Sequence, residues 1–170
     1  TSNSIVNNTL SADEFNQRDG AAISLAHSET ITNNVISGNA CATGSIPCSV
    51  LWLGNEHDYL TSIINDNNII NNTATYLLYN ARSINLANIN VANNWWEIAS
   101  ASSMANAIFD WNDDASKGLV DYTPFLTAPS TTAPPSPPQN VAAQTGPTTI
   151  ALNWDANPES DIAGYKVHYD

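Results

Sequence analysis

The chain has 170 residues, 42% of them apolar, which is enough to bury one substantial core and the beginning of a second. Its 16 acidic residues stand against 4 Lys and Arg, a formal net charge of -12. A nucleic-acid groove or an anionic membrane surface repels such a chain, because phosphate binding needs clustered Lys and Arg, whereas neutral sugars, cations and protein surfaces suit it better.

In chain order, the sequence opens at Thr1-Ser2-Asn3, already inside a repeat and without the charged start and apolar core of a signal peptide. It therefore reads as a piece of a longer protein. A phrase Asn-x-Ile-x-x-Asn occurs at Asn3/Ile5/Asn8, Asn34/Ile36/Asn39 and Asn67/Ile69/Asn72, and a looser copy places Val91 and Asn94 in its last two positions. Two columns, Ile5/Ile36/Ile69/Val91 and Asn8/Asn39/Asn72/Asn94, advance by the same steps. A period of roughly 22 residues with insertions matches one coil of a solenoid. Asn suits the corners because it tolerates the left-handed backbone and its amide can bond an identical amide one coil away, while Ile and Val stack inward. Asn7-Asn8-Thr9 and Asn71-Asn72-Thr73 also fit the glycosylation pattern, but the repeat already explains them.

Between the repeats, Ala22–Leu25, Ser49–Leu53 and Tyr76–Tyr79 are apolar runs of strand character. Cys41 and Cys48 flank a turn-rich loop containing Gly44 and Pro47, which suits a local disulfide in an oxidising compartment. Two free thiols are the alternative, since pairing is not deducible from sequence. Leucine-rich repeats need a denser Leu pattern, and antiparallel hairpins need regular Asn-Gly or Gly-Gly turns; neither is present. After Asn93-Asn94-Trp95-Trp96, residues Met104, Ile108 and Trp111 fall at helical spacing over 102–111. Ser102 or Ser103 is the expected cap, and the apolar stripe is expected to cover the last coil as a lid.

The endings Asn88–Trp96, Ile108–Asp114 and Gly118–Leu126 resemble the close of bacterial right-handed parallel β-helix repeat proteins of the pectin-lyase-like superfamily. The resemblance implies an all-β fold: the C-terminal coils of a right-handed parallel β-helix with a helical cap over residues 1–127. Superfamily members include polysaccharide lyases, glycoside hydrolases and surface proteins without known chemistry, so architecture is implied better than activity. Residues 128–138 form a Pro-rich stretch expected to be an extended, semi-rigid spacer. Residues 139–170 resemble the first three strands of a fibronectin type III domain, with Trp154 as core tryptophan and Tyr165, Val167 and Tyr169 alternating along the third strand.

Candidate chemistry is sparse. A lyase needs a basic catalyst, and Arg18 and Arg82 are the only basic residues of the coils; Arg18 sits among Asp13, Glu14 and Asp19, and Arg82 is expected to face solvent. A hydrolase needs converging carboxylates; Asp58 and Asp66, with Glu56 and His57, make no convincing pair. His27 and His168 have no recognisable ligand partner. Asp110, Asp113, Asp114 and Asp121 are the densest acidic group and a possible Ca²⁺ site without a calcium-loop signature, turn bonding being the simpler account. Trp52, Tyr59, Tyr76, Tyr79, Trp95 and Trp96 could stack on sugar rings where exposed, a core or end-cap role being the alternative for each, and Trp52, Tyr59, Tyr76 and Tyr79 are the candidate carbohydrate-binding residues. The expectation is a secreted or cell-surface scaffold without catalysis that binds a polysaccharide or a surface protein. The alternative is a piece of a polysaccharide lyase or glycoside hydrolase whose active coils lie outside this chain. No cofactor is expected beyond possible Ca²⁺.

Overall fold

The structure is a computed structural model that describes residues 1–10, 20–26, 28–41, 48–54, 62–83 and 88–168. Arg18, His27, Glu56, His57, Asp58, Tyr59 and Tyr169 lie outside the described residues. Among the described residues the fold is all-β apart from one short helix. In chain order the strands are β1 (Ser4–Val6), β2 (Thr9–Leu10), β3 (Gly20–Leu25), β4 (Thr30–Thr32), β5 (Val35–Ser37), β6 (Ala40–Cys41), β7 (Ser49–Leu53), β8 (Ile63–Asn65), β9 (Asn68–Ile70) and β10 (Tyr76–Asn80). Then follow β11 (Ile89–Asn90), α1 (Ala101–Ala107), β12 (Ile108–Phe109), β13 (Val120–Asp121), β14 (Ala142–Thr145) and β15 (Ile150–Asn153).

Strands from successive passes of the chain pair in parallel. One sheet has the order β1-β5-β9, with Ile5 opposite Ile36 and Ile36 opposite Ile69. Each strand in it is only three residues long because a corner closes it at both ends. Asn7, Gly38 and Asn71 adopt φ of 57°, 68° and 53° at one end, and Ser2, Asn33, Asp66 and Asn93 adopt φ of 55° to 58° at the other. These are left-handed conformations that Gly and short polar side chains reach most cheaply.

The residue after each such corner is an asparagine turned onto its neighbours in the adjoining passes. Asn34 Oδ1 accepts the backbone N–H of Asn3 at 2.8 Å, Asn67 Oδ1 that of Asn34 at 2.9 Å, and Asn94 Oδ1 that of Asn67 at 2.9 Å, across separations of 31, 33 and 27. At the opposite corner, Asn39 Oδ1 serves Asn8 N–H at 3.1 Å and Asn72 Oδ1 serves Asn39 N–H at 2.9 Å. Four of these amides also donate back to the preceding pass: Asn39 to Ile5 O, Asn72 to Ile36 O, Asn67 to Ile31 O and Asn94 to Ile64 O. Asn39, Asn67 and Asn94 are fully buried, so leaving one such group unmet costs about 1–3 kcal/mol.

This ladder corrects the register of the fourth repeat. Asn94 continues Asn3/Asn34/Asn67, not Asn8/Asn39/Asn72. Val91, three residues before Asn94, therefore follows Ile31 and Ile64. Trp96 takes the place below Ile69, consistent with the parallel bridge of Asn68 to Trp95 and the bond from Ile69 N–H to Trp95 O at 2.8 Å. In the following pass, Ile89 pairs with Val120 and Leu126 N–H bonds Asn94 O, which puts Phe125 where the ladder asparagine would stand. An aromatic side chain has no amide to pass on, so the ladder stops there.

A second sheet, β12-β10-β7-β3, faces inward through Ile23, Leu51, Leu78 and Ile108. These residues, with Ile36, Ile64, Ile69, Val91 and Trp96, form one apolar core. Full burial of each Leu or Ile contributes about 1.5–3 kcal/mol. Cys41 and Cys48 form a disulfide closing the loop between β6 and β7.

The helix differs from the expectation at both ends. Ser100 is its cap, its Oγ accepting Ser103 N–H at 3.2 Å, and neither Ser102 nor Ser103 takes that role. It ends at Ala107 because Ile108 is extended, with φ -117° and ψ 128°, and pairs with Leu78 in the sheet. Strand pairing overrides the helical spacing, and Trp111 is left 45% exposed instead of on a helix stripe. Met104 is fully buried in the core. No described helix is long and apolar enough to cross a membrane.

The Pro-rich stretch lies against the first sheet at its start. Ser130 N–H donates to Asn68 Oδ1 at 2.7 Å, Asn68 Nδ2 returns a bond to Ser130 O at 3.1 Å, and Thr132 Oγ1 bonds Asn33 Oδ1 at 2.8 Å. At its end, buried Glu159 accepts Ser136 N–H at 2.7 Å. Of the three strands expected beyond it, β14 and β15 form an antiparallel hairpin, and the segment at Tyr165 to His168 carries no strand. A strand needs an edge to pair with, and Tyr165 instead packs its ring edge-on to Trp154 at 5.0 Å.

Candidate functional site

The register of the second sheet aligns Ser24, Trp52, Tyr79 and Phe109 as an outward column. Inward Leu51, Leu78 and Ile108 immediately precede Trp52, Tyr79 and Phe109, and strand alternation turns the aromatic rings out. Tyr79 and Phe109 stack with centroids 4.3 Å apart and planes 4° from parallel. Tyr76 meets both edge-on, at 6.0 Å from Tyr79 and 5.4 Å from Phe109. Three of the four sequence candidates, Trp52, Tyr76 and Tyr79, thus share one face, and Tyr59 lies outside the described residues. Phe109 is the member that sequence reasoning missed. Its signal was the same apolar-aromatic pair, Ile108-Phe109, that Leu51-Trp52 and Leu78-Tyr79 show.

Tyr79 and Phe109 each use one ring face on the other. The Tyr79 hydroxyl is held above its ordinary pKa of 10.0, first by burial, then by the charge of Asp114, by Tyr76 and by Asp113. The acidic turn therefore borders the aromatic wall.

Within that turn, the four acidic candidates bond their own backbone. Asp110 Oδ1 accepts Asn112 N–H at 2.9 Å and Asn112 Nδ2 at 3.0 Å, and its Oδ2 accepts Val120 N–H at 3.0 Å. Asp113 Oδ2 accepts Asp110 N–H at 3.1 Å, Asp114 Oδ1 accepts Ser116 N–H at 2.9 Å, and Asp121 Oδ1 accepts Thr123 N–H at 3.2 Å. Bonding to Ser116, aided by Lys117, holds the Asp114 carboxyl below its usual range. Among the described residues, no three His, Cys, Asp or Glu side chains gather as a ligand set for a metal ion.

Arg82 is not on the surface as expected, being 1% exposed. Its Nε donates to Gly54 O and one terminal nitrogen to Ser62 Oγ, both at 3.0 Å. Burial pushes the guanidinium pKa down and the charge of Glu29 pushes back. Asn80 Oδ1 takes Arg82 N–H at 3.0 Å and turns the chain locally, and the guanidinium then meets partners distant in sequence, the carbonyl of Gly54 just after β7 and the Ser62 hydroxyl.

No protein-family model, curated protein or solved structure matches this chain.

Proposed function

We propose that residues 1–127 are C-terminal coils of a right-handed parallel β-helix, that 128–138 link them to a fibronectin type III-like segment over 139–170, and that the chain is a non-catalytic extracellular scaffold with a glycan partner. The parallel registers and asparagine ladders support the architecture. A disulfide is compatible with an extracellular setting.

One observation among the described residues supports the non-catalytic part: Arg82 and Asp110 are engaged in holding the backbone. Arg82 is buried against Gly54 O and Ser62, and Asp110 closes a turn through three N–H bonds. Lyase and hydrolase steps need ionisable groups free to converge on one substrate bond. The test is an assay on pectin, polygalacturonate, alginate, xylan and neutral glucans, with and without Ca²⁺. The expected result is no release of unsaturated or reducing ends, and reproducible turnover that disappears on Asp113→Asn or Asp66→Asn overturns the proposal.

A further inference from the structure

Trp111 stands beside an open cleft of about 480 Å³ lined by Asn88, Trp111, Asn112 and Leu119. The cleft is built, because the loop that carries the indole is tied at both ends through a single buried carboxylate. Asp110 Oδ1 fixes Asn112 and its Oδ2 fixes Val120, while Asp110 O accepts the N–H groups of Asp113 and Asp114, each at 3.0 Å. Asn88 and Leu119 are set side by side by the neighbouring pair Ile89 and Val120. The ring is 45% exposed and Leu119 is 37% exposed. Among the described residues, the Asn88 carboxamide and Asn112 Oδ1 make no hydrogen bond within the protein.

Resting on the glycan partner proposed above, we infer that this cleft seats one pyranose ring of a neutral polysaccharide. A flat indole offers its face to the C–H side of a sugar ring, and carboxamides at the rim match adjacent hydroxyls as donor and acceptor. Among the described residues that line the cleft none is charged, and a chain of net charge -12 disfavours uronates. Tyr79 and Phe109, by contrast, each have one face covered by the other ring. Asp110 is a positioning residue, holding the turn that presents the indole.

The test is a titration of the intact chain with cellohexaose, xylohexaose and mannohexaose, with trigalacturonate and a proline decapeptide beside them, following the indole N–H signal of Trp111 assigned through Trp111→Phe. The expected result is a saturable shift of that signal with a neutral hexasaccharide, roughly tenfold or more weaker binding in Trp111→Ala and weaker binding in Asn88→Ala, both variants melting as the parent does. Asp110→Asn should weaken binding while speeding amide exchange at Val120, whose N–H it holds. A shift confined to Trp52 or Tyr79 keeps the glycan partner but overturns this site. Response to the proline peptide or to trigalacturonate alone, or no response from Trp111 to any probe, also overturns it.

Discussion

The carboxamide of Asn94 accepts both the backbone N–H and the side-chain amide of Asn67, each at 2.9 Å, and this contact locks one pass of the chain onto the next. Asn67 in turn donates to Ile31 O at 2.8 Å and Asn65 O at 2.9 Å, and accepts from Asn34 N–H and Nδ2. Every polar atom of a fully buried side chain is thereby satisfied.

Asn67→Asp is expected to prevent stable folding, because a carboxylate would face the carbonyls of Ile31 and Asn65 where an amide now donates. Asn67→Ala should cost about 3 kcal/mol, leaving buried partners unmet. Asn8→Ala, on the exposed first rung, should cost about 1 kcal/mol or less. Urea denaturation of the three variants checks the order, and equal costs for Asn67→Ala and Asn8→Ala refute the ladder.

The corners and inward columns were legible in the sequence because each position combines a backbone demand with a packing demand that few residues meet. The register of the fourth repeat was not, since an apolar residue followed three places later by Asn occurs twice per pass, as Ile31/Asn34 and Ile36/Asn39 show. Val91/Asn94 fits either copy, and only the partner across the sheet decides between them. Trp111 was hidden differently. Its spacing from Met104 and Ile108 is helical, but Ile108 belongs to a strand, so a local period gave way to pairing with Leu78. The burial of Arg82 depends on Gly54 and Ser62, both distant in sequence.

The Cys41–Cys48 bond encloses a short loop, with a sequence separation of 7. By loop closure it should stabilise the fold by at most about 2.5 kcal/mol. Native protein should gain two hydrogen masses on reduction, and thermal melting should shift down modestly under reductant. Alkylation of either thiol in the unreduced, folded protein overturns the assignment.

Burial and neighbouring negative charge raise the Tyr79 pKa above 10.0, so the folded state holds that proton more tightly than the unfolded chain. The sign follows: the associated stability is fully present below the unfolded pKa and is lost as pH rises through the higher, folded value. In an alkaline spectrophotometric titration, Tyr79→Phe should remove a phenol that ionises above 10.0. Asp114→Asn should move it downward. Loss of a phenol titrating at or below its ordinary value counts against the proximity of the acidic turn.

Asn68 fixes the start of the Pro-rich stretch through reciprocal bonds to Ser130. Asn68→Ala should free it at a cost of about 1 kcal/mol to the fold. The direct readout is hydrogen exchange at Ser130 N–H, which should accelerate by roughly tenfold if the bond protects it. Unchanged exchange there would mean that the contact contributes nothing in solution.

The last prediction concerns Arg82, a cation almost fully enclosed by the fold. Its Nε and one terminal nitrogen hold Gly54 O and Ser62 Oγ, while Glu29, whose buried Oε2 has no hydrogen-bond partner among the described residues, contributes a negative charge that favours the ionised guanidinium. Removing one of two enclosed charges that act on each other is costlier than removing both, because the survivor loses a charge that offset its desolvation. Arg82→Met should therefore destabilise by about 3–5 kcal/mol. The double variant Arg82→Met with Glu29→Gln should recover a measurable part of that loss. Arg82→Lys should fall between parent and Arg82→Met, since an ammonium keeps the charge but lacks the planar fork that reaches two acceptors. Denaturant unfolding of the parent, Arg82→Met, Glu29→Gln and the double variant forms the cycle, with Arg82→Lys measured beside it. If Arg82→Met costs under about 0.5 kcal/mol, as an exposed arginine would, the buried placement is wrong and Arg82 returns to the surface as a group free to act on a ligand.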